Sequence, residues 1–397
     1  MSAKTELNIA VKKFDEMIES QERIRDYIPS ESEDKHLLHK RIFANDKNHF
    51  AKPSTRLYFI KKLFQYLTET TFEKALHFDL ANKIAMVGEY CITLMYLDNH
   101  HQDEKYGVAD EPSREANRLE RMETEVDMFH YINTEFSGET QDKVLQTVYK
   151  LFKLYHKGME LDKEMLTYNH LIQNKPLTHQ IDPEVDAYVD VEEFIQVLQM
   201  VNPHKLQKIV QQHYLRLYLT RAFLINTVFF QVFAELLIDI FGTREKKYKK
   251  LITYARMFGM AQQLVNDNCD YLPVNYQFST LCKLPEDTFS DLRRGLVTLP
   301  IILFFQSPNT HKGKIFELYT DQSVQSSIRS AEDQQGLLNV LIENGSLGQG
   351  MSFVCALATY GEQQVQDEMG MFKEMFSFVR NNRYYKQYVN IKRELVQ

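Results

Sequence analysis

Apolar residues recur at helical spacing along almost the whole chain, and no stretch alternates for long enough to predict a sheet. One apolar stripe runs through Val87, Cys91, Leu94 and Asp98, at positions i, i+4, i+7 and i+11. A second consists of Leu251, Ala255, Phe258, Ala261, Gln262 and Val265 and leads to Asn266, Asp267 and Asp270. Both patterns predict buried helices that end in carboxylates, within an all-α fold.

The pattern weakens at two places, which predicts the connections between helices. Residues 168–192 contain two prolines, several acids and little periodicity, and residues 272–287 form a second such stretch. We find no internal repeat and no low-complexity tract. We therefore predict one helical domain over residues 1–397, with a long loop insertion near 168–192.

Composition narrows the classes of protein. Of 397 residues, 44% are hydrophobic and 25% are charged, which is typical of a globular chain. Only 14 are Gly and 10 are Pro, which favours long helices and argues against a glycine-rich nucleotide-binding fold. The net charge of −7 provides no basic field for nucleic acid. The four cysteines lie far apart, so we expect neither disulfides nor a zinc site.

The chain offers no obvious targeting or membrane segment. Its first residues interleave acids and bases, unlike a secretory signal. The most apolar run, residues 222–241, is interrupted by Asn226, Gln231, Glu235 and Asp239. We therefore expect a cytoplasmic protein without a membrane span.

Two acidic clusters carry the candidate chemistry. They occupy residues 98–104 and 266–270. In the second cluster, Asn266, Asp267 and Asp270 are spaced three and four apart, which places their oxygens on one face of a helix. Mg²⁺ prefers such oxygen ligands and shares them with substrate phosphates. Two facing clusters would hold a diphosphate through bridging metal ions.

Three segments around these clusters resemble the trans-isoprenyl diphosphate synthases and the terpene synthases that share their all-α fold. Residues 96–104 resemble the first aspartate-rich motif of that superfamily, with Asn99 at its second Asp. Residues 259–270 resemble the second motif, with Asn266 at its first Asp. Residues 290–300 resemble the stretch that follows. The order and spacing of the three segments make the resemblance specific.

The resemblance implies a class I isoprenoid synthase helical bundle around a central active-site cavity. It implies a prenyl diphosphate substrate, a homodimer and Mg²⁺, with three ions when substrate is bound. The implied metal ligands are Asp98, Asn99, Asp103, Glu104, Asn266, Asp267 and Asp270. The implied catalytic residues are Asp98, Asp267 and Gln263.

Further residues take substrate roles in this comparison. Thr220 and Arg221 lie where the superfamily has a Lys-Thr pair that contacts the diphosphate, and a guanidinium grips phosphate well. Tyr90, Thr93 and Leu94 lie eight, five and four residues before Asp98 and would set the depth of the pocket. Aromatic side chains that would line the wall of this pocket include Phe223, Phe229, Phe230 and Phe233. A zinc site at His100 and His101, a catalytic role for Glu89 and a diphosphate sensor at Arg383 and Tyr384 are weaker hypotheses.

The departures from the superfamily pattern concern the acceptor, isopentenyl diphosphate. Of the basic residues that bind this acceptor upstream of the first motif, only Lys52 and Arg56 remain. The arginine pair after the first motif is replaced by residues 105–108, and Leu296 replaces a lysine of the last motif. This asymmetry favours a terpene synthase that ionises a farnesyl or geranylgeranyl diphosphate and cyclises the cation. The alternatives are an isoprenyl diphosphate synthase, which condenses an allylic diphosphate with isopentenyl diphosphate, and a weakly catalytic regulatory subunit.

Overall fold

The computed structural model describes residues 59–60, 63, 67, 75–103, 111–164, 182–201, 213–241, 245–271, 291, 296–306 and 331–364. Lys52, Arg56, Glu104, Arg383, Tyr384 and residues 105–108 and 272–287 lie outside this part of the chain. The described helices are α1 Ala75–Asp103, α2 Glu111–Glu135, α3 Gly138–Glu164, α4 Pro183–Val189, α5 Val191–Val201, α6 His213–Ala222, α7 Val228–Phe241, α8 Glu245–Cys269, α9 Leu299–Gln306, α10 Ala331–Glu343 and α11 Ser346–Gln364. The predicted all-α fold is confirmed.

The described helices belong to two compact units. The first contains α1, α2, the part of α3 up to Phe152 and residues 232–249. The second contains the rest of α3, α4 to α6, the start of α7, α8 from Lys250 onward and α9 to α11. The prediction of a single domain over residues 1–397 stays a prediction.

In the first unit, α1 packs along α2. The side-chain amide of Asn117 donates to the carbonyl of Leu97 at 3.1 Å, and the Cys91 thiol lies 3.8 Å from the sulfur of Met128. Val87, Cys91 and Leu94, which the sequence places on one stripe, are all buried. The packing therefore follows the apolar pattern and brings the end of α1 beside α2.

In the second unit, α11 packs against α5, α9 and α10, and α6 packs against α5 and α9. Helices α6 and α7 are continuous through a π-helical turn at Phe223–Thr227. The combined helix Tyr214–Phe241 is long and apolar enough to cross a membrane, but 78% of its apolar window is buried inside the protein. Such burial is typical of a core helix.

Glycine allows two helices to approach this π-helical turn closely. A Cβ added to Gly259 of α8 would lie 2.8 Å from Cα of Thr227 and 2.7 Å from the ring of Phe230. A Cβ added to Gly158 of α3 would lie 2.8 Å from Cβ of Leu224. The turn is thus fixed between α3 and α8 within the second unit.

The prediction of a loop near 168–192 is wrong at its C-terminal end, where α4 and the start of α5 lie. Asp182 caps the N-terminus of α4 by accepting the amide of Glu184 at 2.9 Å, and Pro183 occupies the first helical position. Asp190 then adopts a left-handed conformation with φ of 42° before α5 begins. Arg256 of α8 holds this corner by donating to the carbonyls of Val189 and Asp190 at 2.6 and 2.9 Å.

Candidate functional site

The carboxylate of Asp267 is the centre of a buried polar cluster near the end of α8. It is 1% exposed. Gln263, one helical turn earlier, donates to Oδ1 at 2.7 Å, and the hydroxyl of Tyr218 on α6 donates to Oδ2 at 2.5 Å. Helical spacing explains the first contact, because residues four apart share a face. Two neutral donors thus fix the orientation of this carboxylate.

A buried arginine lies beside this carboxylate. Nη1 of Arg221 is 3.8 Å from Oδ2 of Asp267, and Nε of Arg221 donates to Oδ1 of Asp162 at 2.7 Å. The side chains of Arg221 and Asp162 are 7% and 6% exposed. Three helices, α3, α6 and α8, therefore supply one chain of charged groups.

Asp270 is the second buried carboxylate of this cluster. It lies just after the end of α8 and is 1% exposed. Its Oδ2 accepts the backbone amide of Asp291 at 3.1 Å. The hydroxyls of neighbouring Tyr271 and Thr298 share a hydrogen bond of 2.7 Å. This hydrogen bond holds the backbone of Asp291 beside the end of α8.

Burial and neighbouring charges affect the ionisation of Asp267. Burial and the charge of Asp291 raise the pKa of Asp267 to about 6, against the opposing effects of Arg221 and of the hydrogen bonds from Tyr218 and Gln263. A divalent cation beside Asp267 would stabilise the ionised form of this carboxylate. The donor set, two buried carboxylates at Asp267 and Asp270, fits the one or two carboxylates that Mg²⁺ takes beside phosphate oxygens and water.

Asn266 does not share this environment, because it is exposed while Asp267 and Asp270 are buried. The prediction that Asn266, Asp267 and Asp270 share one metal site stays a prediction. Thr220 is buried, and its hydroxyl donates to the carbonyl of Arg216 within α6.

The first acidic cluster contains an ion pair. Nε of Arg121 on α2 donates to Oδ1 of Asp98 at 2.5 Å, and Nη1 of the same guanidinium donates to Glu125 at 2.8 Å. Asn99 is half-buried, and the side chains of residues 100–103 lie outside the described part. In the described ranges, no three His, Cys, Asp or Glu side chains form a group that could hold a metal ion.

The predicted pocket residues before Asp98 are all buried in the first unit. The ring of Tyr90 lies 5.7 Å from that of Tyr131, and the hydroxyl of Thr93 donates to the carbonyl of Glu89 at 2.9 Å. The predicted aromatic wall is buried as well. Phe230 packs edge to face on Phe258 at 5.2 Å, which is core packing.

Four functional candidates were missed from sequence: Tyr218, Asp162, Asp291 and Arg121. Each contacts or approaches a predicted site residue from a distant part of the chain. Asp291 had a signal, since it lies within residues 290–300, which resemble a superfamily motif. The other three lie on helices whose periodicity predicts burial and pairing but not partners.

Comparison with known proteins finds similarity in structure only. No protein-family model matches the sequence, and no curated protein matches it significantly. The fold is similar to a polyprenyl synthase from Caulobacter crescentus CB15 complexed with calcium and isoprenyl diphosphate, with a TM-score of 0.62 and 14% identity over 94% of this chain and 96% of that chain.

Two other solved structures give the same result. A decaprenyl diphosphate synthase from Rhodobacter capsulatus matches with a TM-score of 0.60 and 12% identity over 95% of this chain and 99% of that chain. An octaprenyl pyrophosphate synthase from Helicobacter pylori matches with a TM-score of 0.56 and 16% identity over 93% and 98% of the two chains. The chain therefore shares its all-α fold with these prenyl synthase structures.

Proposed function

We propose that this protein is an isoprenyl diphosphate synthase that transfers an allylic prenyl group to isopentenyl diphosphate. The observation that supports this most is the extent of the likeness, which covers 94% of this chain and 96% of a polyprenyl synthase complexed with isoprenyl diphosphate. A buried carboxylate cluster at the end of α8 adds chemical support. The proposal departs from the cyclase favoured by sequence, since the similar structures named above are synthases of prenyl diphosphates.

The buried cluster gives each residue a role. Asp267 and Asp270 would hold Mg²⁺, which when bound supplies positive charge to the departing diphosphate. Tyr218 and Gln263 orient the Asp267 carboxylate through their hydrogen bonds. Nη1 of Arg221 has no hydrogen-bond partner among the described residues and would donate to a phosphate oxygen.

A regulatory subunit is the second candidate, supported by the first acidic cluster. The Arg121 guanidinium already neutralises Asp98, and Asn99 adds no charge. A divalent cation would compete with this arginine for Asp98. A protein with this arrangement would bind metal weakly there and would act by associating with an active synthase.

The deciding experiment supplies purified protein and Mg²⁺ with geranyl, farnesyl or geranylgeranyl diphosphate, with and without isopentenyl diphosphate. We expect chain-extended diphosphates, measured by mass spectrometry, only when isopentenyl diphosphate is present. Hydrocarbon products without it would instead establish the cyclase. No turnover, together with tight binding to an active synthase, would establish the regulatory subunit.

A matched pair of variants assigns the activity to the cluster. Asp267→Asn removes the charge of the buried carboxylate, and we expect product formation to fall by about a hundredfold or more, the scale on which one lost electrostatic contact acts. Asp186→Asn changes an exposed aspartate of α4 and should leave the rate unchanged. Equal rates in both variants would remove Asp267 from the site.

A further inference from the structure

Arg221 is shared unequally between two buried carboxylates. Its Nε is at hydrogen-bond distance from Asp162, at 2.7 Å, whereas its Nη1 is 3.8 Å from Asp267, too far for a hydrogen bond. The guanidinium is thus anchored by its Nε edge. Nη1 remains a buried donor without a hydrogen-bond partner among the described residues, beside the carboxylate that we propose as a metal ligand.

The anchor has a physical consequence for Asp267. A buried arginine without a close counter-ion is costly, so it moves to the nearest available carboxylate. Among the described residues, the nearest carboxylate without the charge of Asp162 is Asp267. A direct salt bridge there would neutralise Asp267 and consume the donor at Nη1. Asp162 therefore keeps both groups available for a ligand.

The backbone supports Asp162 in a fixed position. Gly158, one turn earlier on α3, faces Leu224 and Ile225 so closely that an added Cβ would lie 2.8 and 2.9 Å from their side chains. These two residues directly follow the helix that carries Arg221. The distance from Asp162 to Arg221 is therefore set by tightly packed helices rather than by two mobile side chains.

We propose that Asp162 is a positioning residue for diphosphate binding, holding Arg221 away from Asp267 so that Nη1 meets a phosphate oxygen and Asp267 stays free for the metal. This inference rests on the proposed function. It assigns a role to α3, which the aspartate-rich motifs do not include.

The test measures binding of inorganic diphosphate in the presence of Mg²⁺ by isothermal titration calorimetry, so it does not depend on turnover. We expect Asp162→Asn to weaken binding by about tenfold or more, the effect of one lost charge-assisted hydrogen bond. Arg221→Met should weaken it too. Because Asp162 acts through Arg221, the double variant should bind no more weakly than Arg221→Met alone.

Glu193→Gln provides the matched control. Glu193 accepts a hydrogen bond from Nε of Arg256 at 2.8 Å, so this variant also removes the carboxylate partner of a buried arginine in the second unit. We expect a lower melting temperature in this control and unchanged diphosphate affinity. Equal losses of affinity in Glu193→Gln and Asp162→Asn would overturn the proposal, because a general loss of stability would explain both.

The remaining outcomes are equally decisive. Wild-type affinity in Asp162→Asn, or losses that add in the double variant, would overturn the positioning role while leaving the proposed function intact. A wild-type protein that does not bind magnesium diphosphate would overturn both. If Asp162→Asn does not fold, Asp162→Ser removes the charge with a smaller polar side chain, and unchanged affinity in that variant overturns the proposal.

Discussion

At the scale of single residues, the buried tyrosines Tyr218 and Tyr90 differ in whether the hydroxyl group has a hydrogen-bond partner among the described residues. Tyr218 donates to Asp267 at 2.5 Å, and Tyr90 has no hydrogen-bond partner for its hydroxyl among the described residues. Tyr218→Phe should lower the free energy of unfolding by about 1–3 kcal/mol, because a buried acceptor loses its donor. Urea denaturation followed by circular dichroism measures this change.

Tyr90→Phe is the control for this prediction. The side chain is 1% exposed, so the same oxygen atom is removed from an equally buried ring. We expect the free energy of unfolding to stay the same or rise, because no hydrogen bond is lost and a buried polar atom is deleted. A larger loss for Tyr90→Phe than for Tyr218→Phe would contradict the assignment of the Tyr218 hydroxyl to Asp267.

Sequence could locate only part of this residue-scale arrangement. Asp267 and Gln263 are four apart on one helix, so their contact follows from helical spacing. Tyr218 and Asp162 reach the cluster from other helices, and their pairing depends on tertiary packing. The exposure of Asn266 was also not predicted, because helical spacing places it on one face with Asp270 and carries no information on which side chains other elements cover.

At the scale of helices, the close contact of α8 with the π-helical turn depends on Gly259. Gly259→Ala would place a methyl group 2.8 Å from the backbone of Thr227, which cannot yield easily. We expect a loss of about 1–3 kcal/mol in the free energy of unfolding, as for other overpacked cores. The melting temperature should fall accordingly in differential scanning calorimetry.

Gly336→Ala in α10 makes the same change in open space. No heavy atom lies within 4 Å of the added Cβ, and the residue is exposed. Alanine favours a helix over glycine by about 0.5–1 kcal/mol, so we expect a gain in stability. A gain of similar size in Gly259→Ala would show that α8 does not approach the turn as closely as described.

The helices themselves were largely predictable, and the exceptions have physical reasons. Helix α4 was predicted as part of a loop because its periodicity is weak. Asp182 before Pro183 is nevertheless a typical helix start and was the better signal. The π-helical turn has no comparable cue. It inserts one residue into a continuous apolar helix, and its position depends on packing against Gly158 and Gly259.

At the scale of the whole molecule, the fold class followed from periodicity, and the resemblance to isoprenyl diphosphate synthases followed from the two acidic segments and residues 290–300. The exposed surface could not be predicted in the same way. An apolar stripe in the sequence predicts a packed helix face, and only the tertiary structure shows whether another element covers that face. Helix α2 shows this. Its inner face packs on α1 through Asn117 and Met128, while part of its outer face is apolar and exposed.

The exposed stripe of α2 is suited to pairing with a second copy of the chain. It consists of Leu119, Met122, Val126 and Phe129, which are 51%, 62%, 67% and 40% exposed. Their spacing of three, four and three residues reads the same in both directions, so two antiparallel copies would match residue for residue. The three arginines of α2 lie in its N-terminal half and most of its acids follow Met122, which also favours the antiparallel pair.

We therefore expect a homodimer that depends on this stripe. Sedimentation velocity should give twice the 46.9 kDa of one chain for the wild type, and Met122→Asp should give a monomer because it places a charge in the apolar contact. Met200→Asp changes a methionine of α5 that is 67% exposed and should remain dimeric. A monomeric wild type, or a dimer that persists in Met122→Asp, would mean that α2 does not form the contact between copies.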